Sequence, residues 1–107
     1  MKKALLISFA ILFTVSCDRY QEPLQDFDIV FIGSWSSQDY YLEIGANGYG
    51  FCQRRNREPI EGTVEIRWDE IEFFGNGRSE RFYIDAEPFE EFGEVMMILD
   101  GDYFYRH

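Results

Sequence analysis

The chain has 107 residues, with twenty acidic against ten basic side chains and a formal net charge of −10. That length sets a ceiling of one small domain, and that charge excludes nucleic-acid binding through a basic surface. Hydrophobic residues make up 46% of the chain and aromatics 19%, enough core material to exclude a disordered polymer.

Lys2 and Lys3 form a short positive start, and residues 4–15 are apolar apart from Ser8 and Thr14. A helix of that length spans roughly 18 Å, too short for a hydrocarbon core of about 30 Å. Residues 1–16 therefore read as a secretory signal peptide and not as a transmembrane helix. Its removal takes both lysines away and leaves eight arginines against twenty acids, a net charge of −12.

The run Phe13-Thr14-Val15-Ser16-Cys17 resembles the lipobox of bacterial lipoproteins. The resemblance implies cleavage just before Cys17, diacylation of that cysteine and anchoring to a membrane of the bacterial cell envelope, inner or outer. Two acyl chains hold a protein firmly where one is marginal. The alternative is an ordinary signal peptide with a cysteine beside its cut site. Residues 17–28 then comprise the lipidated Cys17 and a flexible tether, with Pro23, four acids and no hydrophobic period. The chain has two cysteines. With Cys17 acylated, Cys52 has no partner within the chain, so packing alone holds the domain. Cys52 sits in a strand-like run and reads as a buried, inert thiol.

The domain is expected over residues 29–107, where short strand-like runs alternate with turn signals and no helical period is sustained. Residues 29–36 run from apolar into Gly-Ser-Trp. Residues 40–44 place Tyr40, Leu42 and Ile44 on one face, and Gly45-Ala46-Asn47-Gly48 turns the chain into residues 49–54. After a charged loop with Pro59, Val64, Ile66 and Trp68 face inward by alternation, and Ile71 and Phe73 continue that face beyond Asp69-Glu70. Gly75-Asn76-Gly77 leads into residues 81–85, with Phe82 and Ile84 on one face. Residues 86–93 read as an acidic loop around Pro88, with room for one helical turn. Residues 94–99, the hairpin dipeptide Asp100-Gly101 and residues 103–106 complete the chain. This is an all-β pattern of about eight short strands with short connections, which predicts a small antiparallel up-and-down meander closing into a barrel. A two-sheet β-sandwich is the runner-up.

Gly33-Ser34-Trp35 on the first strand and Arg106 on the last are similar to a pair shared by lipocalins and related calycins. In that family the Trp plugs one end of the barrel and the Arg packs across it, as a guanidinium does on an indole face. The resemblance implies a miniature lipocalin-like barrel in which Trp35 and Arg106 meet.

No catalytic constellation is legible. His107 is the only histidine, so no triad base or His-Cys metal spacing exists, and no phosphate loop is present. No cofactor or metal is implied, and the reading is non-enzymatic. The favoured function is a membrane-anchored binding module whose acidic surface meets a basic protein. The alternative is a carrier of a small apolar ligand, with Tyr40, Tyr49, Phe51, Trp68, Phe73 and Phe82 as candidate ligand-facing aromatics. Eighteen aromatics remain after the signal segment, and eight-stranded barrels are just filled by their own side chains. A packed interior with binding on an outer face or rim is therefore expected.

Overall fold

The architecture follows from three two-residue turns. Asn76-Gly77, Phe92-Gly93 and Asp100-Gly101 have positive φ at both positions, the geometry that matches the right-handed twist of paired strands. They join Gly75 to Arg78, Glu91 to Glu94 and Leu99 to Asp102, the closing pairs of three hairpins. The computed structural model describes residues 23–107; the expected signal peptide over residues 1–16 and Cys17 lie outside the described residues.

The strands are β1 (Gly33–Ser36), β2 (Tyr40–Ile44), β3 (Tyr49–Arg54), β4 (Ile60–Arg67), β5 (Glu70–Gly75), β6 (Arg78–Glu91), β7 (Glu94–Leu99) and β8 (Asp102–Arg106). Each pairs antiparallel with its chain neighbours, and β1 pairs with β8, so the meander closes into an up-and-down barrel. The all-β, eight-stranded barrel expected from the sequence is the observed fold, and the sandwich is not.

Side-chain alternation fills the barrel. Leu42 and Ile44 of β2, Val64 of β4, Ile71 and Phe73 of β5, Phe82 of β6, Met97 and Leu99 of β7 and Phe104 of β8 form one buried cluster with Trp35. Phe82 is the hub of edge-on aromatic packing: its ring lies 4.9 Å from Tyr40, 6.0 Å from Phe73 and 5.9 Å from Phe104, separations at which ring edges meet ring faces favourably.

Two segments depart from the sequence expectation. Residues 29–36 are not one strand: Asp26–Phe31 forms a 3-10 helix, and β1 begins only at Gly33. Leu24 also packs against the core, and its N–H donates to the Ala46 carbonyl at 3.1 Å. The stretch read as the end of the tether thus joins the barrel. The second departure is residues 86–93, expected as a loop with room for a helical turn. β6 runs through them to Glu91, with register shifts between Ile84 and Ala86 and between Ala86 and Phe89. Up to Tyr83 this strand pairs with β5, and from Ile84 onward with β7. Bulges of this kind let one strand bend around a barrel corner. Pro88 sits inside the second shift, where its missing N–H breaks no ladder bond.

On the outer face, Glu72 is nearly buried despite its charge. Arg67 Nη2 lies 2.5 Å from Glu72 Oε1 and 3.4 Å from Glu65 Oε1, and Arg67 Nη1 lies 3.8 Å from Glu70 Oε2. One guanidinium thus serves three carboxylates on β4 and β5.

Candidate functional site

Trp35 and Arg106 meet. They are register partners across the β1–β8 seam, and the guanidinium carbon lies 4.7 Å from the indole centroid. Both side chains also hold the 3-10 helix. Trp35 Nε1 donates to the Phe31 carbonyl at 2.9 Å, and Arg106 Nη2 donates to the Val30 carbonyl. These bonds take up carbonyls at the C-terminal end of the helix that have no partner within it. Gly33 makes the arrangement possible. Its φ of +139° is closed to other L-residues, and a Cβ there would sit 3.3 Å from Arg106 Nε. The Gly-x-Trp element and the closing Arg therefore work as one clamp that seats the helix over one barrel end.

The candidate ligand-facing aromatics divide. Phe73 and Phe82 are interior and fully packed, and Tyr40 is half-buried against them. Trp68 corrects the expectation: β4 ends at Arg67, so the alternation stops one residue short, and the indole stands beyond the rim, 95% exposed. Tyr49 and Phe51 are also corrected. Gly50 and Cys52 are the buried positions of β3, which turns Tyr49 and Phe51 to the outer face. There the Tyr49 hydroxyl donates to Glu61 Oε2 at 2.9 Å, and Phe51 packs edge-on against Tyr41 at 6.1 Å. Burial and the bond to Glu61 push Tyr49 up to about 12. The small Gly50 faces inward because the barrel is narrow there: a Cβ would lie 2.8 Å from Val64 Cβ.

Glu80 was not legible as an inward residue. It pairs opposite Phe73, and its Oε2 accepts from the Tyr40 hydroxyl at 3.1 Å. Burial, then the charge of Glu80, pushes Tyr40 up to about 12. The same two causes push the Cys52 thiol up to about 12. Cys52 is thus buried and held as the neutral thiol, unsuited to nucleophilic work. Arg54 lies over the Tyr40 ring at 5.8 Å.

The two barrel ends expose different chemistry. The end that receives the chain at Pro23 carries the 3-10 helix, with Ile29 and Val30 exposed, and the β4–β5 turn with Trp68. Trp68 lines a cleft of about 180 Å³ together with Asp28, Phe31 and Glu87. Asp28 is buried there, and desolvation followed by the charge of Glu87 raises its pKa above the usual carboxylate value. The β6–β7 turn points the same way, because Met96 pairs with Tyr105, Tyr105 with Ser36, and β1 runs back from Ser36 to the helix. At its tip Phe92 is 94% exposed with φ +55°. Beside it lies an open depression of about 640 Å³ lined by Gly93, Val95, Tyr105, Arg106 and His107.

The opposite end is polar. Arg55 Nη2 donates to the Gln38 carbonyl at 2.8 Å, and its Nε lies 3.9 Å from Asp39. Arg78 Nη2 donates to the Glu58 and Pro59 carbonyls at 3.1 and 2.8 Å. Of the three neighbouring arginines Arg54, Arg55 and Arg57, Arg55 thus ties its loop to residues 38–39.

A third surface is the outer face around the β7–β8 turn. Tyr103 and Tyr105 are exposed and stacked at 6.5 Å, and Tyr83 is exposed nearby, its N–H bonded to Asp100 Oδ1 at 2.9 Å. Asp85 Oδ2 accepts from the Gly101 N–H at 2.7 Å, so these acids strap the turn to β6. Strict alternation around the buried Phe104 was the available signal for the two C-terminal tyrosines.

Among the described residues, no group of three or more His, Cys, Asp or Glu side chains is placed to hold a metal ion. The chain matches no protein-family model, and comparison with curated proteins and with solved structures finds no match.

Proposed function

We propose that the protein is a lipid-anchored lipoprotein of the bacterial cell envelope, cut before Cys17 and acylated there, whose small lipocalin-like barrel is a non-catalytic binding module for a basic protein. The observation that carries the binding reading is the contrast between a filled interior and an aromatic exterior. Trp35, Leu42, Ile71, Phe73, Met97, Leu99 and Phe104 are fully buried against one another, which favours recognition on the outside over carriage of a small apolar ligand within. On the outside, residues 82–105 contain seven acids and no Lys or Arg, and they present Tyr83, Tyr103 and Tyr105. Exposed tyrosines among carboxylates suit arginine and lysine side chains, through cation–π contact and ion pairing together.

Two measurements test this reading. The intact mass of the mature protein should begin at Cys17 and include acyl chains; an unmodified cysteine overturns the anchor. Extraction in mild detergent at low ionic strength should recover a basic protein that is released by salt and lost in a Tyr103→Ala/Tyr105→Ala variant. Recovery of no basic protein overturns the partner.

A further inference from the structure

We infer that the helix-capped end of the barrel rests on the bilayer, with Trp68 and Phe92 as its apolar feet and Ile29 and Val30 between them. The inference builds on acylation at Cys17 and adds an orientation to it. Cys17 lies six positions before Pro23, which limits the distance from the acyl group to the barrel to about 20 Å even at full extension. The chain enters at the helix-capped end, where Leu24 is bonded to Ala46 and packed on the core. A tether that short brings this end to the membrane surface.

This is also the end where large apolar side chains stand in water. Ile29, Val30, Trp68 and Phe92 are all exposed there. The loops of the opposite end, over residues 37–39, 55–59, 76–77 and 100–101, include no exposed large hydrophobic residue. Tryptophan is favoured where one side of a ring is apolar and the other wet, as at a bilayer surface.

Phe92 adds an independent argument. The turns at residues 76–77 and 100–101 place Asn and Asp at the first left-handed position, as that geometry favours. The third turn places Phe there, with its ring almost wholly exposed. A bulky side chain is disfavoured in this conformation, and nothing in the folded domain is gained by it. A surface that takes up the ring accounts for its presence, since strained backbone clusters at functional positions. The acids beside these feet, Asp69, Glu90, Glu91 and Glu94, are exposed and oppose anionic headgroups. The preferred surface is therefore rich in zwitterionic lipid.

The test uses the full acylated mature protein in phosphatidylcholine vesicles and reads tryptophan fluorescence. Trp35 is fully buried and Trp68 almost fully exposed, so a Trp68→Phe variant isolates the Trp35 signal for subtraction. Quenching of Trp68 by aqueous iodide should fall several-fold relative to soluble Cys17→Ala protein, and lipids brominated near the headgroup should quench it. Partial replacement by phosphatidylglycerol should weaken both effects. Phe92→Asn should also weaken them while leaving the fold at least as stable, a split that a merely structural role would not give. Equal iodide quenching in both settings, with acylation verified by mass, overturns the orientation alone. Absence of the acyl group overturns the anchor itself, and the orientation with it.

Discussion

The two ends of the barrel solve the same problem with different materials. At the polar end, loops are tied down by guanidinium groups on exposed carbonyls, as with Arg78 on Glu58 and Pro59. At the other end a 3-10 helix is held by a buried indole and the guanidinium stacked on it. The first arrangement sits in water and is weakened by it; in the second the indole and its bond to the Phe31 carbonyl are buried in the core. The difference teaches that one end is closed for stability and then dressed with exposed apolar residues, while the other is only tied off. Stability alone requires the clamp but not Trp68 or Phe92.

The most damaging change to this contrast is Trp35→Ala. It empties the most voluminous fully buried position and releases the helix, with an expected loss of about 3–5 kcal/mol, a large share of the roughly 5–15 kcal/mol that holds small domains folded. Urea unfolding of the soluble Cys17→Ala protein checks it, and a loss under 1 kcal/mol (about a typical surface effect) would mean the clamp is ornamental. Phe92→Asn goes the other way. Relief of a left-handed phenylalanine should stabilise the fold by about 1 kcal/mol, read as a higher urea midpoint. Arg78→Ala, at the polar end, should cost only about 0.5–1 kcal/mol, because water replaces its two bonds.

Asp28→Asn sharpens the comparison through pH. Burial and Glu87 raise the Asp28 pKa above 3.8 in the folded protein. Between 3.8 and the raised value the folded state binds more protons than the unfolded one, so this group lowers stability as pH rises through that window. The Asn variant should therefore be more stable than the parent at neutral pH, and the gap should close below pH 3.8. Urea midpoints measured across the acid range check the sign; a gap that widens in acid contradicts it.

The barrel was legible because its signals are local. Asn76-Gly77 and Asp100-Gly101 announce their hairpins, and Tyr40, Leu42 and Ile44 announce an inward face. What was illegible depended on distant partners. Ile29, Val30 and Phe31 look like a strand, yet Trp35 and Arg106 claim two of their carbonyls, the latter across 76 positions of sequence. Trp68 obeys the alternation of β4 but lies one residue past its end. Tyr49 and Phe51 look more like core than Gly50 and Cys52, yet the latter pair is buried, and the wall beside Val64 leaves no room for a side chain at Gly50. Pro88 suggests a loop, and only the register shift of β6 against β7 lets it remain in a strand. Phe92-Gly93 carried a legible signal, a hairpin dipeptide with the wrong first residue, whose meaning emerges beside the two conforming turns.

Oxidative footprinting of the acylated protein on phosphatidylcholine vesicles, against the soluble Cys17→Ala protein, tests the account most directly because it reads both surfaces at once. Trp68 and Phe92 should oxidise several-fold more slowly on the vesicle, while Tyr103 reacts equally in both. Protection of Tyr103 with Trp68 and Phe92 left reactive would contradict it, placing the outer face on the membrane and the capped end in water.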